Sequence, residues 1–281
     1  MTVLQALGLL LLAALIDAGH ATYRVLRRRA RTRYRQDLQQ HVEALLGAGN
    51  YRQAEAEVER AEQRARKKKD PDLHWLADIL RAAARLEAGR LDRASVHLTE
   101  AAQIARDHLT PYHVAVALGE LAWIEFFQGD NQTSGILLAW AARLTRGTDS
   151  RNLFAARSLL LAALLSSERS DLEGAEQALR SAVEILKQLE DLELLELADL
   201  EGVRLAYLQT WYDSAMAQLD AIAPRLEKRQ RRGASLRLLQ MLSELAEATG
   251  RPGDRDHVDG LIAALKGQRS APALQPSPSR S

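Results

Sequence analysis

Hydrophobic residues fall into two patterns along this chain. One is an unbroken block, Val3 to Ile16, reading VLQALGLLLLAALI, with Gln5 the only strongly polar member. The other fills most of the remainder: apolar side chains return every three or four residues, the spacing of one α-helical face. That spacing is broken at regular places. Gly49-Asn50-Tyr51-Arg52-Gln53-Ala54 recurs as Gly89-Arg90-Leu91-Asp92-Arg93-Ala94 and Gly129-Asp130-Asn131-Gln132-Thr133-Ser134. Further on come Ser170-Asp171-Leu172-Glu173-Gly174-Ala175, Thr210-Trp211-Tyr212-Asp213-Ser214-Ala215 and Gly250-Arg251-Pro252-Gly253-Asp254-Arg255. The last positions are 54, 94, 134, 175, 215 and 255, separated by 40, 40, 41, 40 and 40 residues. A fixed period of this length is the signature of a repeat architecture.

Each part of the junction has a physical task. The glycine can take the left-handed conformation that ends a helix. The apolar residue two positions later (Tyr51, Leu91, Leu172, Tyr212) covers the entry of the next helix. The small residue lets two antiparallel helices approach, and apolar residues follow it four and seven positions on: Val58 and Ala61, Leu98 and Ala101, Leu138 and Ala141, Leu179 and Ala182, Leu219 and Ile222. The spacing predicts first helices over 36–48, 72–88, 113–128, 152–168, 191–209 and 234–249. Second helices are predicted over 52–67, 92–108, 132–146, 173–189, 213–229 and 254–266. Pro71 and Pro111, themselves 40 apart, mark the turns from the first two repeats into the next.

Twelve helices in six stacked hairpins make an α-solenoid, and the pattern resembles the tetratricopeptide repeat family. The second-helix half carries the resemblance, through Ala94, Leu98 and Ala101 or Ala175, Leu179 and Ala182. The first-helix half matches more loosely, through Val42 and Leu45 or Leu118 and Ala122. The period of 40 exceeds the family's usual 34, so longer helices or linkers must absorb the difference. The resemblance implies an all-α fold, a right-handed superhelix of about six hairpins over 36–266. Its repeats run approximately 36–71, 72–111, 112–151, 152–190, 191–232 and 233–266. It also implies that first helices line a concave face taking a protein or peptide partner. The groove-facing positions fall on Trp123, Phe126 and Phe127, then Leu160 and Leu164, then Arg204 and Tyr207. Helix 113–128, HVAVALGELAWIEFFQ, is apolar nearly all round, which equally describes a helix buried on both sides. Trp123 stands where the carboxylate-binding members of the family carry Asn, which argues against a chaperone-tail reader.

Charge changes the picture at the N-terminus. The 281 residues carry 38 basic and 37 acidic side chains, a formal net charge of +1. The balance conceals a split, because Arg24, Arg27, Arg28, Arg29, Arg31, Arg33 and Arg35 crowd behind the apolar block against Asp17 alone. From Thr2 to Tyr23 the chain could make about 33 Å of helix. With no basic residue before the block and seven arginines after it, the expectation is a membrane-anchor helix over 1–23. The Arg-rich juxtamembrane segment would be 24–35, contacting anionic lipid, with the N-terminus outside and the solenoid cytoplasmic. A cleaved signal or a peripheral helix are the alternatives. Arg64, Arg66, Lys67, Lys68 and Lys69 form a second basic cluster and Lys228, Arg229, Arg231 and Arg232 a third, with Lys67 and Lys228 each thirteen positions past the small junction residues Ala54 and Ala215. Helix-dipole complementarity predicts cations there, and lipid contact is the other explanation. The acidic body makes nucleic acid a poor partner. Residues 267–281, GQRSAPALQPSPSRS, read as a disordered tail.

Catalytic signals are missing. With no Cys there are no disulfides, thiolate nucleophiles or Cys-ligated zinc. The seven His (20, 41, 74, 97, 108, 113, 257) show no His-Glu-x-x-His, and no phosphate or dinucleotide glycine pattern occurs. No cofactor, metal or enzymatic activity is expected. The sequence therefore predicts a membrane-tethered adaptor binding its partner on the concave face. A ligand- or peptide-responsive regulatory solenoid, or a periplasmic assembly factor if the topology is reversed, are the alternatives.

Overall fold

The computed structural model describes residues 30–146, 153–228 and 233–267, and these are helical throughout apart from short turns. The helices are α1 (residues 30–47), α2 (Tyr51–Lys68), α3 (Pro71–Glu87), α4 (Leu91–His108), α5 (Pro111–Gln128) and α6 (Asn131–Leu144). Then follow α7 (Leu153–Glu168), α8 (Leu172–Leu189), α9 (Leu192–Leu208), α10 (Tyr212–Lys228), α11 (Gly233–Ala248) and α12 (Pro252–Gly267). Each odd helix pairs with the even helix after it, giving six hairpins. The first helix begins earlier than the periodicity predicts, because residues 30–35 of the Arg-rich stretch are already helical.

The repeated junction folds the same way six times. Gly49, Gly89, Gly129, Ser170, Thr210 and Gly250 all have φ between 61° and 89°. In the first hairpin the Gly49 N–H donates to the Leu46 carbonyl at 3.0 Å and Asn50 to Leu45 at 2.8 Å. The same pair of bonds closes each of the other five, ending with Gly250 to Glu247 and Arg251 to Ala246, both 3.0 Å. This is the Schellman arrangement, which satisfies carbonyls at a helix C-terminus. Asp130 and Asp171 then cap the following helices, accepting from Thr133 N at 2.9 Å and Gly174 N at 3.0 Å. Pro71 and Pro111 open α3 and α5 as the first helical residue, where a missing N–H costs nothing.

Behind the junctions lie Ala54, Ala94, Ser134, Ala175 and Ala215, all fully buried at the hairpin crossings. Ser134 meets its polar requirement by donating to the Ala122 carbonyl at 2.7 Å. Arg255, at the sixth equivalent place, is half-buried and pairs with Glu247. Core side chains form one large cluster from Ala122 to Leu265, a second over α1–α3 and a small one joining α3, α4 and α5. Successive first helices α5, α7, α9 and α11 pack side by side. The stack also curves far enough for α11 to reach α3, where the Gly233 N–H donates to Glu87 Oε2 at 3.2 Å across 146 residues of sequence. Arg237 donates to the Phe127 carbonyl at the same place.

One expectation is overturned. Among the described residues no helix is long and apolar enough to cross a membrane, which removes the single-pass placement with its cytoplasmic solenoid. The segment 1–23, together with Arg24, Arg27, Arg28 and Arg29, lies outside the described residues, as does the tail beyond Gly267.

Candidate functional site

The residues placed on the concave face come together, but in the interior. Trp123, Phe126 and Phe127 on α5, Leu160 and Leu164 on α7, and Arg204 and Tyr207 on α9 are all buried, and the apolar ones share one cluster. The rings of Trp123 and Phe127 lie 5.6 Å apart and those of Phe126 and Phe127 5.8 Å. Apolarity all round α5 thus corresponds to packing on both sides, with α11 folded across that end.

Arg204 is the centre of a polar network. Its Nε donates to Glu201 Oε2 at 2.8 Å and its Nη1 to Glu168 Oε1 at 2.5 Å, while Nη2 reaches Ser167 Oγ and, at 3.4 Å, the Leu164 carbonyl. Glu201, with 0% exposure, also accepts from Ser167 Oγ at 2.8 Å. Burial works against the guanidinium charge, but Glu201 and Glu168 outweigh it and hold the Arg204 pKa up. Tyr207 donates its hydroxyl to Asp254 Oδ2 at 3.0 Å, and burial raises its pKa. These bonds join α7, α9 and the sixth hairpin.

The basic residues divide by use. Arg35 donates to Asp70 at 2.7 Å and Asp72 at 3.1 Å, with Arg31 3.9 Å from Asp70, so α1 is fastened to the cap of α3. Arg33, Lys67, Lys68 and Lys69 are exposed, the lysines at the C-terminal end of α2. Arg64 lies over the Tyr34 ring at 3.8 Å.

What the surface does offer is a groove on the other side of the stack. It holds about 860 Å³ between α4, α5 and α6, lined among others by Ala102, Leu109, Val114 and Leu118, with Trp140 and Leu144 on its edge and Arg106 and Arg143 as cations. Ile136, Trp140 and Leu144, four residues apart, make an exposed apolar strip along α6, and Trp140 is 56% exposed. The sequence carries the signal, a second apolar stripe on a helix whose buried stripe is Ser134 and Ala141, but the repeat pattern accounts only for the buried one.

A second set, which no spacing in the sequence foreshadows, lies in the second hairpin. Asp78 on α3 is 2% exposed and faces His97 and Glu100 on α4. Ligand atoms of these three lie within 4.8 Å of one another, a spacing that could hold a metal ion. Burial, reinforced by the nearby Glu100 and Glu62 carboxylates and only partly opposed by Arg81, pushes the Asp78 pKa up to about 7. Burial, with Arg81 beside it, lowers that of His97.

No protein-family model matches the chain, and no curated protein matches it. Among solved structures, it is similar to a Rap protein complexed with competence and sporulation factor, with a TM-score of 0.66 and 14% identity. That similarity covers 82% of this chain and 62% of the Rap protein, less than two thirds of the latter's length. A Podosopora anserina putative kinesin light chain with nearly identical TPR-like repeats aligns over 69% of this chain and 95% of its own, at 15% identity and a TM-score of 0.42. The fold is a TPR-like helical solenoid.

Proposed function

We propose that this protein is a non-catalytic scaffold that binds a protein or peptide partner. The observation that carries this is the apolar groove between α4 and α6 with the Ile136–Trp140–Leu144 strip at its edge. Isolated exposed apolar residues are ordinary, whereas a tryptophan, a leucine and an isoleucine in line beside a concave apolar surface form a recognition feature. The shape suits an amphipathic helix laying its apolar face into the groove. Arg106 and Arg143 favour acidic residues on that partner. The buried set Trp123, Phe126, Phe127, Leu160, Leu164, Arg204 and Tyr207 then serves to hold the first helices rigid beneath the surface, so that little ordering is required when the partner arrives.

A photo-crosslinking amino acid at position 140, against one at the exposed Trp211 as control, tests this directly. The expected result is a discrete crosslinked partner from position 140 alone, lost when Leu144→Ala and Arg143→Glu are added. Equal labelling from both positions, or labelling indifferent to the added substitutions, sinks the proposal.

A second reading has one observation in its favour. The bonds Gly233–Glu87 and Arg237–Phe127 close α11 onto α3 and α5, so a ligand entering the concave side would have to part them. The similarity to a Rap protein complexed with a factor supports such a ligand-responsive regulator. Increased protease sensitivity of Glu87→Gln around residue 233, together with ligand-dependent protection, is the result this reading expects.

A further inference from the structure

The second hairpin holds a cluster that neither helix packing nor the proposed groove uses. Nδ1 of His97 is 3.7 Å from Asp78 Oδ1 and 3.5 Å from Glu100 Oε2. Both His97 Nδ1 and Asp78 Oδ2 are buried without a hydrogen-bond partner among the described residues. Buried polar atoms are almost always paired, and a buried carboxylate without a donor is among the more costly exceptions. Neighbouring cations do not resolve it. Arg81 is bonded to Glu62 at 2.6 Å, Arg66 is bonded to the same carboxylate, and Arg85 is held by Glu55 at 2.9 Å. His74 Nε2 comes only within 3.9 Å of Asp78 Oδ2, and at 3.7 Å His97 itself is too far for a hydrogen bond.

We propose that Asp78, His97 and Glu100 form a binding site for a divalent transition-metal ion, best suited to zinc. One imidazole nitrogen and two carboxylate oxygens are ligands that zinc accepts in a four-coordinate site, with water in the remaining position. Zinc bonds of about 2.0–2.2 Å place tetrahedral ligand atoms about 3.3–3.6 Å apart. The observed 3.5 and 3.7 Å from His97 Nδ1 lie close to that spacing, and all three ligand atoms fall within 4.8 Å of one another, so the carboxylates must draw together as the ion enters. His97 and Glu100, three residues apart, present their ligands from one face of α4, and Asp78 answers from α3. Glu100, 57% exposed, gives the ion its entry side. Binding would neutralise the buried carboxylate and clip α3 to α4, which ties the site to folding of the second hairpin. None of the three ligands lines the groove between α4 and α6, so the site stands or falls independently of partner binding there.

The test uses the full chain, stripped with chelator and titrated with Zn²⁺ alone by calorimetry, with Co²⁺ as a spectroscopic substitute. Expected are one zinc equivalent, a tetrahedral-type Co²⁺ visible spectrum and a zinc-dependent rise in Tm. Glu100→Gln, at an exposed position that leaves folding intact, should weaken affinity at least about tenfold, and His97→Gln should abolish the Co²⁺ spectrum. His257→Ala removes an exposed histidine paired with Asp220 and should change nothing. Absence of binding by the wild-type chain overturns the proposal, as does binding that His257→Ala weakens and Glu100→Gln does not.

Discussion

Glu201 and Asp78, two of the carboxylates buried in this solenoid, meet opposite conditions. Glu201, on α9, accepts from Arg204 and Ser167 and sits within a network that also takes in Glu168 and the Leu164 carbonyl. Asp78, on α3, has two histidines near it and no hydrogen bond to either. The cations around the two sites explain the difference. Arg204 points its donors at the buried carboxylate, whereas Arg81 and Arg66 are drawn to Glu62, nearer the surface. Burial of a charge is tolerated where its lone pairs are answered, and otherwise leaves a site waiting for a proton or an ion. The buried carboxylate of α9 is thus answered by its own neighbours, while that of α3 is not.

Breaking the satisfied site should have the largest effect. Arg204→Leu strands Glu201 in the interior and should cost about 3–5 kcal/mol, seen as a lower urea midpoint at unchanged slope. The opposite sign is expected at the other site. In chelator-treated protein above about pH 7, where Asp78 is mostly ionised, Asp78→Asn removes a buried charge that nothing pairs and should be neutral or stabilising by about 1–2 kcal/mol. If both substitutions destabilise alike, the two carboxylates are not different in kind.

The same two regions differ in their turns, in the reverse direction. Gly49 and Gly89 supply the left-handed residue in the first two hairpins, but Ser170 and Thr210 occupy that conformation in the fourth and fifth, with φ of 61° and 67°. A side chain there costs about 1 kcal/mol or more, and a β-branched one the most. Thr210→Gly should therefore raise stability by about 1 kcal/mol and Gly89→Thr lower it by a similar amount. Equal and opposite shifts in urea midpoint would show the six turns to be interchangeable; a loss in both would mean that Thr210 has a tertiary role beyond its turn.

The repeat was legible because it is written locally. Gly or its substitute, an apolar residue two positions on and a small residue after that each act within one turn of chain, so a period of 40 placed the ends of α2 to α12 within two residues of those observed. By contrast α1, which no junction precedes, is already helical six residues before the expected start. Ser170 and Thr210 could be placed by register alone. The groove was not legible in the same way. Trp123, Phe126 and Phe127 are apolar whether they face a partner or another helix, and only their packing in one cluster with side chains of α7, α9 and α11 decides that they are interior. Asp78 was hidden for a related reason: its neighbours His97 and Glu100 belong to another helix, and no spacing along one helix could announce a three-residue set spread over two. Ile136, Trp140 and Leu144 were visible as a stripe but competed with a stronger one.

The smallest expected effect concerns a histidine between the two regions. His113, on α5, packs its ring 4.8 Å from Trp75 of α3, and its Nδ1 lies 2.8 Å from the Thr110 hydroxyl. Burial lowers its pKa below the usual 6.5, with Arg35 adding to the effect and Asp72, 3.9 Å away, opposing it. A histidine lowered in the folded state binds its proton more readily when unfolded, so stability is complete above about pH 6.5 and declines as pH falls below it. The ring is partly exposed, and solvent screening keeps the effect well under 1 kcal/mol. Replacing it with His113→Gln should flatten the fall in urea midpoint between about pH 7.5 and 5.5, while Arg204→Leu leaves the slope attributable to His113 in place. A slope unchanged by His113→Gln would place the acid sensitivity elsewhere and detach it from the α3–α5 contact.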